Sequence, residues 1–249
     1  CLEPSAATAI EAACDELLEG RHADAFPLKV WQTGSGTQTN MNLNEVLARR
    51  GNQIAGERGL ALSVPLHPND SVNRSLSSID TFPSALHVAA DLAVTQRLIP
   101  AAERLVATLA RLERQNEGIV KCGRTHLQDA VPIAFSQEIF GWRGLVESAV
   151  EELRASLPGL RRLALGGTAV GTGLNAPAGF DRLVAARLAE LTGEPFQTDP
   201  NKFHALTAKD AVVFSHGAVK ALAANLMKLA NDVRWLASGP RLGLGEISI

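Results

Sequence analysis

Tyrosine is absent from this chain of 249 residues, and aromatic residues make up 4% of it. A base-stacking surface needs aromatic faces interleaved with cations. There is no cationic surplus either, since 24 Lys and Arg stand against 26 Asp and Glu for a net charge of −2. Nucleic acid is therefore disfavoured as a partner. No run of about 18 apolar residues marks a membrane span, and no charged-then-apolar leader opens the sequence. The cysteines, Cys1, Cys14 and Cys122, are few, odd in number and not in metal-ligand spacing, the usage expected of a reducing cytosol. Cys14 falls on an apolar helical stripe and reads as core. Strand signals are nearly missing too, and the periodicity is helical almost throughout. What remains is an all-α chain long enough to bury a substantial core, as one large domain or two smaller ones.

The first helix leads from Ser5 through Ile10, Cys14, Leu17 and Leu18 to Gly20. The chain opens inside it and stops at Gly245-Glu246-Ile247-Ser248-Ile249 without a cap, so both ends read as cut edges. A helix is expected from near Asn42. Another runs from Ser84 to Gln115 with Leu98, Leu105, Leu109 and Leu112 on one stripe. Pro83 fits its first turn, Asp80 or Thr81 can cap it, and Pro100 should kink it. Further helices are expected over Ile133–Leu157, carrying Phe135, Ile139, Trp142, Val146, Val150 and Leu153, and over Leu206–Leu236. In the last, Leu222, Leu226, Leu229, Val233 and Leu236 follow the alternating four-and-three spacing of a packed bundle. Each rod is about 35–50 Å long. A helix packed inside its own monomer would show the same seam, but three rods with apolar stripes favour assembly with further helices. The run Gly166-Gly167-Thr168-Ala169-Val170-Gly171-Thr172-Gly173-Leu174-Asn175 precedes a short helix over Phe180–Leu191. No strand leads into this run and no Gly-Lys-Ser/Thr follows it, which argues against a nucleotide cradle.

Chemistry concentrates in polar islands. Gly123-Arg124-Thr125-His126-Leu127-Gln128-Asp129-Ala130 sets an imidazole, a guanidinium, a hydroxyl, an amide and a carboxylate between two helical patterns. It is built more like a site than a connection, although a polar helix–helix turn with a surface His would look similar. Thr33-Gly34-Ser35-Gly36-Thr37-Gln38-Thr39-Asn40 and Ser77-Ser78-Ile79-Asp80-Thr81 share its composition. Hydroxyls and amides at helix N-termini grip carboxylates without a titrating group, because aligned N–H dipoles add positive potential. Plain N-caps use the same residues. His126 has the only side chain in these islands with an ordinary pKa near neutrality, which suits proton exchange. Arg124 reads as an ion-pair partner and scaffold. His67-Pro68-Asn69-Asp70 is an anion contact or an ordinary Pro-containing turn. His22, His87, His204 and His216 lack partners at ligand spacing, so a catalytic metal has little support.

Taken in order, Phe26-Pro27, Trp31-Gln32-Thr33-Gly34-Ser35-Gly36-Thr37, the Ser77 and His126 islands and Ala230-Asn231-Asp232-Val233-Arg234-Trp235-Leu236 resemble the signature segments of class II fumarate hydratases, within the fumarase/aspartase superfamily. The resemblance covers essentially the whole chain. His126 favours fumarase over the similar aspartases, which typically carry Gln there. The resemblance implies an all-α long-helix bundle, incomplete here, with a smaller N-terminal helical region. It divides the chain into a partial N-terminal lyase domain, 1–76, and a partial central helix-bundle domain, 77–249. It also implies reversible dehydration of L-malate to fumarate in the cytoplasm, as part of the tricarboxylic acid cycle, without metal or other cofactor. The intact form would be a homotetramer whose active sites draw on three subunits, with neither nucleic acid nor membrane as a partner. Carried over by position, His126 resembles the catalytic histidine, acting on or through a water. Ser35, Gly36, Thr37, Ser77, Ser78 and Thr125 resemble substrate contacts, and His67, Pro68, Asn69 and Asp70 a second anion site. Two departures stand out. The family's Gly-Ser-Ser-x-Met-Pro-x-Lys-x-Asn loop, with its proton-abstracting serine, is expected after Ile249 and is not in the sequence. Ile79 stands where the family has a substrate-binding Asn, and Leu76 where it has Gln. The rival readings are another lyase acting on a succinyl-type substrate and a non-catalytic helical oligomerisation protein.

Overall fold

The computed structural model describes residues 2–249. In chain order its elements are α1 (Pro4–Leu18), α2 (Thr37–Arg58), α3 (Ser78–Ala93), α4 (Ile99–Gln115), β1 (Val120–Thr125), β2 (Gln128–Ala134), α5 (Phe135–Leu160), β3 (Arg162–Leu163), α6 (Phe180–Thr192), β4 (Gln197–Thr198), α7 (Lys202–Thr207) and α8 (Asp210–Leu236). Helix takes 62% of the chain and strand 7%, so the class is all-α as expected. The chain packs as two compact units, Cys1–Val88 with Arg161–Ala208 and Ala89–Leu160 with Lys209–Ile249. Each unit is thus built from separated stretches of chain. The division at 76/77 remains a proposal about lyase domains, distinct from these packing units.

In the first unit α1 starts with Pro4, where a missing N–H breaks no helical bond. Its buried face is small: Ala6, Ala9, Ala12 and Ala13 lie in apolar clusters with Leu47, Ala48, Ile54 and Ala55 of α2. Cys14 packs at the margin of that core, and burial pushes its thiol pKa up. Close approach is enforced at Gly51 of α2, where a Cβ would stand 2.6 Å from Leu66 Cδ1. Helix α2 begins at Thr37, five residues earlier than expected from the apolar pattern. Its first turns carry polar residues, and two of these, Asn40 and Asn44, are buried. They are satisfied by side-chain amides and a hydroxyl, so the apolar periodicity could not report them.

The second unit is built on α4, α5 and α8. Ile99, Ala102 and Leu109 of α4, Ile139, Trp142, Val146, Val150 and Leu153 of α5, and Ala218, Leu222 and Leu236 of α8 share one core. Val146 and Leu153 are completely buried. Polar ties fix the α5–α8 register: Trp142 Nε1 donates to Asp232 Oδ2 at 2.8 Å, and Asn225 Nδ2 donates to the Leu145 carbonyl at 2.8 Å. The alternating seam of α8 is therefore spent largely inside the chain, since Leu229 and Val233 also pack on this core while Leu226 stays exposed. Val213, Phe214, Met227 and Trp235 of α8 remain on the surface.

Two expectations need correction. The rod expected over Ser84–Gln115 is two helices joined by a π-helical turn, Val94–Leu98. Pro100 has no N–H for the carbonyl four residues back, and its ring crowds that carbonyl; a widened turn just before it relieves both. Pro83 lies inside α3, and the residue preceding the helix is Ser77 instead of Asp80 or Thr81. The larger correction is at Gly123–Ala130, which is no helix–helix loop. It is the tip of an antiparallel hairpin in which β1 pairs with β2, with Val120 opposite Ala134 and Thr125 opposite Gln128.

Candidate active site

Within the first unit the structure gathers two of the polar islands. Gly36 precedes α2 in a left-handed conformation, φ +70°, and a Cβ there would fall 2.1 Å from the Phe82 ring of α3. Glycine is required twice over at this position, by its dihedral and by the close approach. Ser35 Oγ donates to Thr33 Oγ1 at 3.2 Å and lies 3.5 Å from Thr37 Oγ1, with all three residues exposed. From the next turn Asn40 Nδ2 donates to Ser78 Oγ at 2.9 Å and to Asn73 Oδ1 at 3.0 Å, and Asn44 donates to the same Asn73 oxygen at 3.0 Å. This amide cluster ties the N-terminus of α2 to that of α3. Asn40 closes one of the sequence-derived islands, but Asn44 and Asn73 carry no local signature, and only their partners in space reveal them.

Ser77 and Asp80 form a reciprocal cap on α3. Ser77 Oγ accepts from the Ile79 amide at 3.2 Å, and Asp80 Oδ1 accepts from the Ser77 amide at 2.9 Å. The N-cap reading of Ser77 is thus correct locally, and it leaves the Ser77 hydroxyl proton available. Ser77 and Ser78 line a cleft of about 1000 Å³ together with Asn69, Asp70, Asn73, Arg74, Thr168 and Asn175. Ile79 is half-buried and does not line that cleft. The His67–Asp70 segment opens a single π-helical turn, Pro68–Val72, with His67 as its cap. His67 Nδ1 accepts from the amides of Asn69 at 3.3 Å and Asp70 at 3.4 Å, while the Asp70 carboxylate lies 3.2 Å from the same nitrogen. Its geometry is that of a Pro-containing turn, with Asn69 and Asp70 facing the same cleft as the serines.

Thr125 and His126 belong to the second unit. His126 and Leu127 form the two-residue turn of the hairpin and take φ +51° and +61°. Such turns require a positive φ at both central residues and normally use Asn-Gly, so His-Leu holds a strained conformation. The strand leading in carries a bulge at Gly123, where a Cβ would meet the Val131 carbonyl at 2.6 Å. Below the turn a pocket of about 300 Å³ is lined by His126, Lys121, Arg124, Glu138, Asp232, Trp235 and neighbours. Glu246, outside the sequence-derived candidates, anchors it. Its carboxylate accepts from Arg124 Nη2 at 2.6 Å and from Lys121 Nζ at 2.8 Å, and Lys121 also pairs with Glu138. Burial pulls the Glu246 carboxyl up, but the hydrogen bonds from Arg124 and Lys121 outweigh it and hold the pKa below the ordinary range. Arg124 accordingly acts as an ion-pair scaffold. His126 itself is exposed at the hairpin tip.

Comparison with known proteins follows the same lines. The family model described as "Lyase" matches residues 2–249. A class II fumarate hydratase of Ralstonia nicotianae is 58% identical over 244 residues, covering 98% of this chain and 52% of that protein. That of Bacillus subtilis is 54% identical over 248 residues, covering 100% and 53%. The crystal structure of recombinant class II fumarase from Schistosoma mansoni matches with a TM-score of 0.92 at 38% identity, over 97% of this chain and 53% of that one. The chain spans about half the length of the curated relatives it matches.

Proposed function

The chain belongs to the lyase family, and from that premise we propose that it is part of a class II fumarate hydratase interconverting L-malate and fumarate. The observation that carries this reading is the joining of hydroxyl-bearing helix N-termini by Asn40 and Ser78 beside a cleft lined by hydroxyls and amides. In the reaction a proton leaves the carbon next to one carboxylate of malate, and negative charge flows into that carboxylate. Fixed neutral donors must stabilise the resulting dianion, and Ser35, Thr37, Ser77, Ser78 and Thr125 are suited to that because their dipoles need no reorganisation. The hydroxide then departs with a proton, and His126 is the group able to exchange one near neutral pH, directly or through a water. Ile79 offers no donor where the family uses Asn. His67, Pro68, Asn69 and Asp70 would hold a second anion at the rim.

The working form we propose is a cytoplasmic homotetramer that needs no cofactor, acting in the tricarboxylic acid cycle. A non-catalytic helical scaffold is the competing reading, favoured by Ile79. Fumarate absorbance after malate addition tests both. The 249-residue chain alone should show no measurable turnover, because the serine base and its Lys are not in it. The chain continued with the segment that follows in the Bacillus subtilis relative should turn over. Silence from that extended protein, properly folded, would favour the scaffold.

A further inference from the structure

The Gly166–Asn175 run has entered the site so far only as cleft lining at Thr168 and Asn175, yet the buried Asp80 carboxylate is committed to its amides and the half-buried Lys202 to carbonyls just before it. Asp80 is 0% exposed and divides its carboxylate between two tasks. Oδ1 accepts from the Ser77 amide at 2.9 Å and from Thr81 Oγ1 at 3.2 Å. Oδ2 accepts from the amides of Gly166 at 3.1 Å and Thr168 at 2.8 Å, 86 and 88 residues further along the chain. Lys202 takes carbonyls just before that run, donating from Nζ to Leu163 at 3.0 Å and Leu165 at 2.8 Å, and to Thr198 Oγ1. Ser84 closes the set by accepting from the Leu165 amide at 2.9 Å while donating to the Asp80 carbonyl at 2.7 Å. The backbone from 163 to 168 is therefore gripped on its carbonyls by a cation and on its amides by an anion.

A helix cap needs one carboxylate oxygen, so the second oxygen serves the loop. The loop it holds is strained where it meets the cleft. Thr168 and Asn175, both non-glycine residues in the left-handed region at φ +57° and +68°, line the cleft that Ser77 and Ser78 line from the other side. Such conformations persist only where surrounding bonds over-determine them. We propose that Asp80, assisted by Lys202, is a positioning residue for the dicarboxylate site: one carboxylate sets the spacing between Ser77 and the Thr168 wall of the cleft. The arrangement rests on the dicarboxylate reading for its ligand, but the clamp itself is independent of it. Preorganised donors are what an anion site requires, because a wall free to move would have to be ordered at the expense of binding.

The test uses the chain extended as for the turnover assay, with fumarate as the probe and amide hydrogen exchange as the independent readout. Asp80→Asn keeps one acceptor oxygen and cannot serve both tasks. It should speed exchange at Gly166 and Thr168 while leaving α5 and α8 protected, and weaken fumarate binding by roughly tenfold or more at a temperature where both proteins are folded. Thr168→Gly keeps the amide and relieves the strained dihedral. It should weaken fumarate several-fold without lowering thermal stability, and it carries the test if Asp80→Asn does not fold. Unchanged exchange at Gly166 and Thr168 in Asp80→Asn overturns the clamp. Faster exchange with unchanged fumarate affinity overturns the positioning role and leaves a structural bond. If wild type ignores fumarate while the exchange pattern changes as expected, the clamp stands and the dicarboxylate reading falls.

Discussion

Glu246→Gln tests whether the hairpin carrying His126 is held by charge. The Glu246 carboxylate makes two charge-assisted bonds, to Arg124 at 2.6 Å and Lys121 at 2.8 Å, with side-chain exposures of 22%, 21% and 10%. A hydrogen bond to a charged group contributes about 1.5–3 kcal/mol. The loss should be less than the sum of two, because Gln retains an acceptor oxygen and Lys121 retains Glu138. Arg124 keeps only Asp129 at 3.5 Å. An expected cost of about 1–2 kcal/mol follows, equivalent to a fall in melting temperature of roughly 2–8 °C for a protein of this size. The sign of the pH dependence is fixed by the lowered carboxyl pKa. Its stabilisation is fully present above the unfolded value of about 4.3 and is lost as pH falls through the lower folded value. The wild-type advantage should thus be complete at pH 7 and shrink in the acid range below about 4.3. Thermal unfolding followed by circular dichroism at a series of pH values reads this directly. Superimposable curves for variant and wild type at pH 7 would refute the argument and leave the tail held by its backbone bonds, such as the Glu246 amide to the Leu236 carbonyl at 2.9 Å.

Other expectations concern the proposed lyase itself. In a protein extended to catalytic competence, His126→Asn should lower turnover by roughly 10²–10⁴-fold with little change in substrate affinity, since Asn hydrogen-bonds but cannot exchange a proton; an unchanged turnover number would leave His126 a turn residue. Ile79→Asn in the same protein should raise catalytic efficiency with malate by about 10–150-fold, one hydrogen bond to a charged group; a sharp stability loss without that gain would mark Ile79 as packing. At micromolar concentration the 249-residue chain should self-associate, because Val213, Phe214, Met227 and Trp235 leave α8 with exposed apolar surface. Sedimentation showing one stable monomeric species would count against it.

The long helices α4, α5 and α8 were legible in the sequence because an apolar stripe of period 3.6 is a local property. Leu109, Trp142, Val146, Leu153 and Leu222 are core residues in the structure as their spacing required. The polar islands stood out as dense Ser, Thr and Asn near helix starts, although local capping uses the same residues, as Ser77 does on α3. The hairpin at 120–134 was not. Its turn uses His-Leu in place of Asn-Gly, β2 contains Pro132, and neither strand alternates, so what makes it a hairpin is the pairing of two segments that carry no strand signal alone. Proline is tolerated there because a two-stranded sheet is all edge. The widened turn before Pro100 was half legible: the proline announced a break, but only the packed helix decided where the lost hydrogen bond would be absorbed. The site divides the same way. Sequence alone singled out Ser77, Ser78 and His126 as candidates, and the structure lines one cleft with the two serines and a separate pocket with His126. That Asn40 bonds Ser78, and that Asp80 reaches Gly166 and Thr168, depends on backbone groups brought together from distant positions, and burial turns those meetings into obligations because an unpaired buried polar group costs free energy.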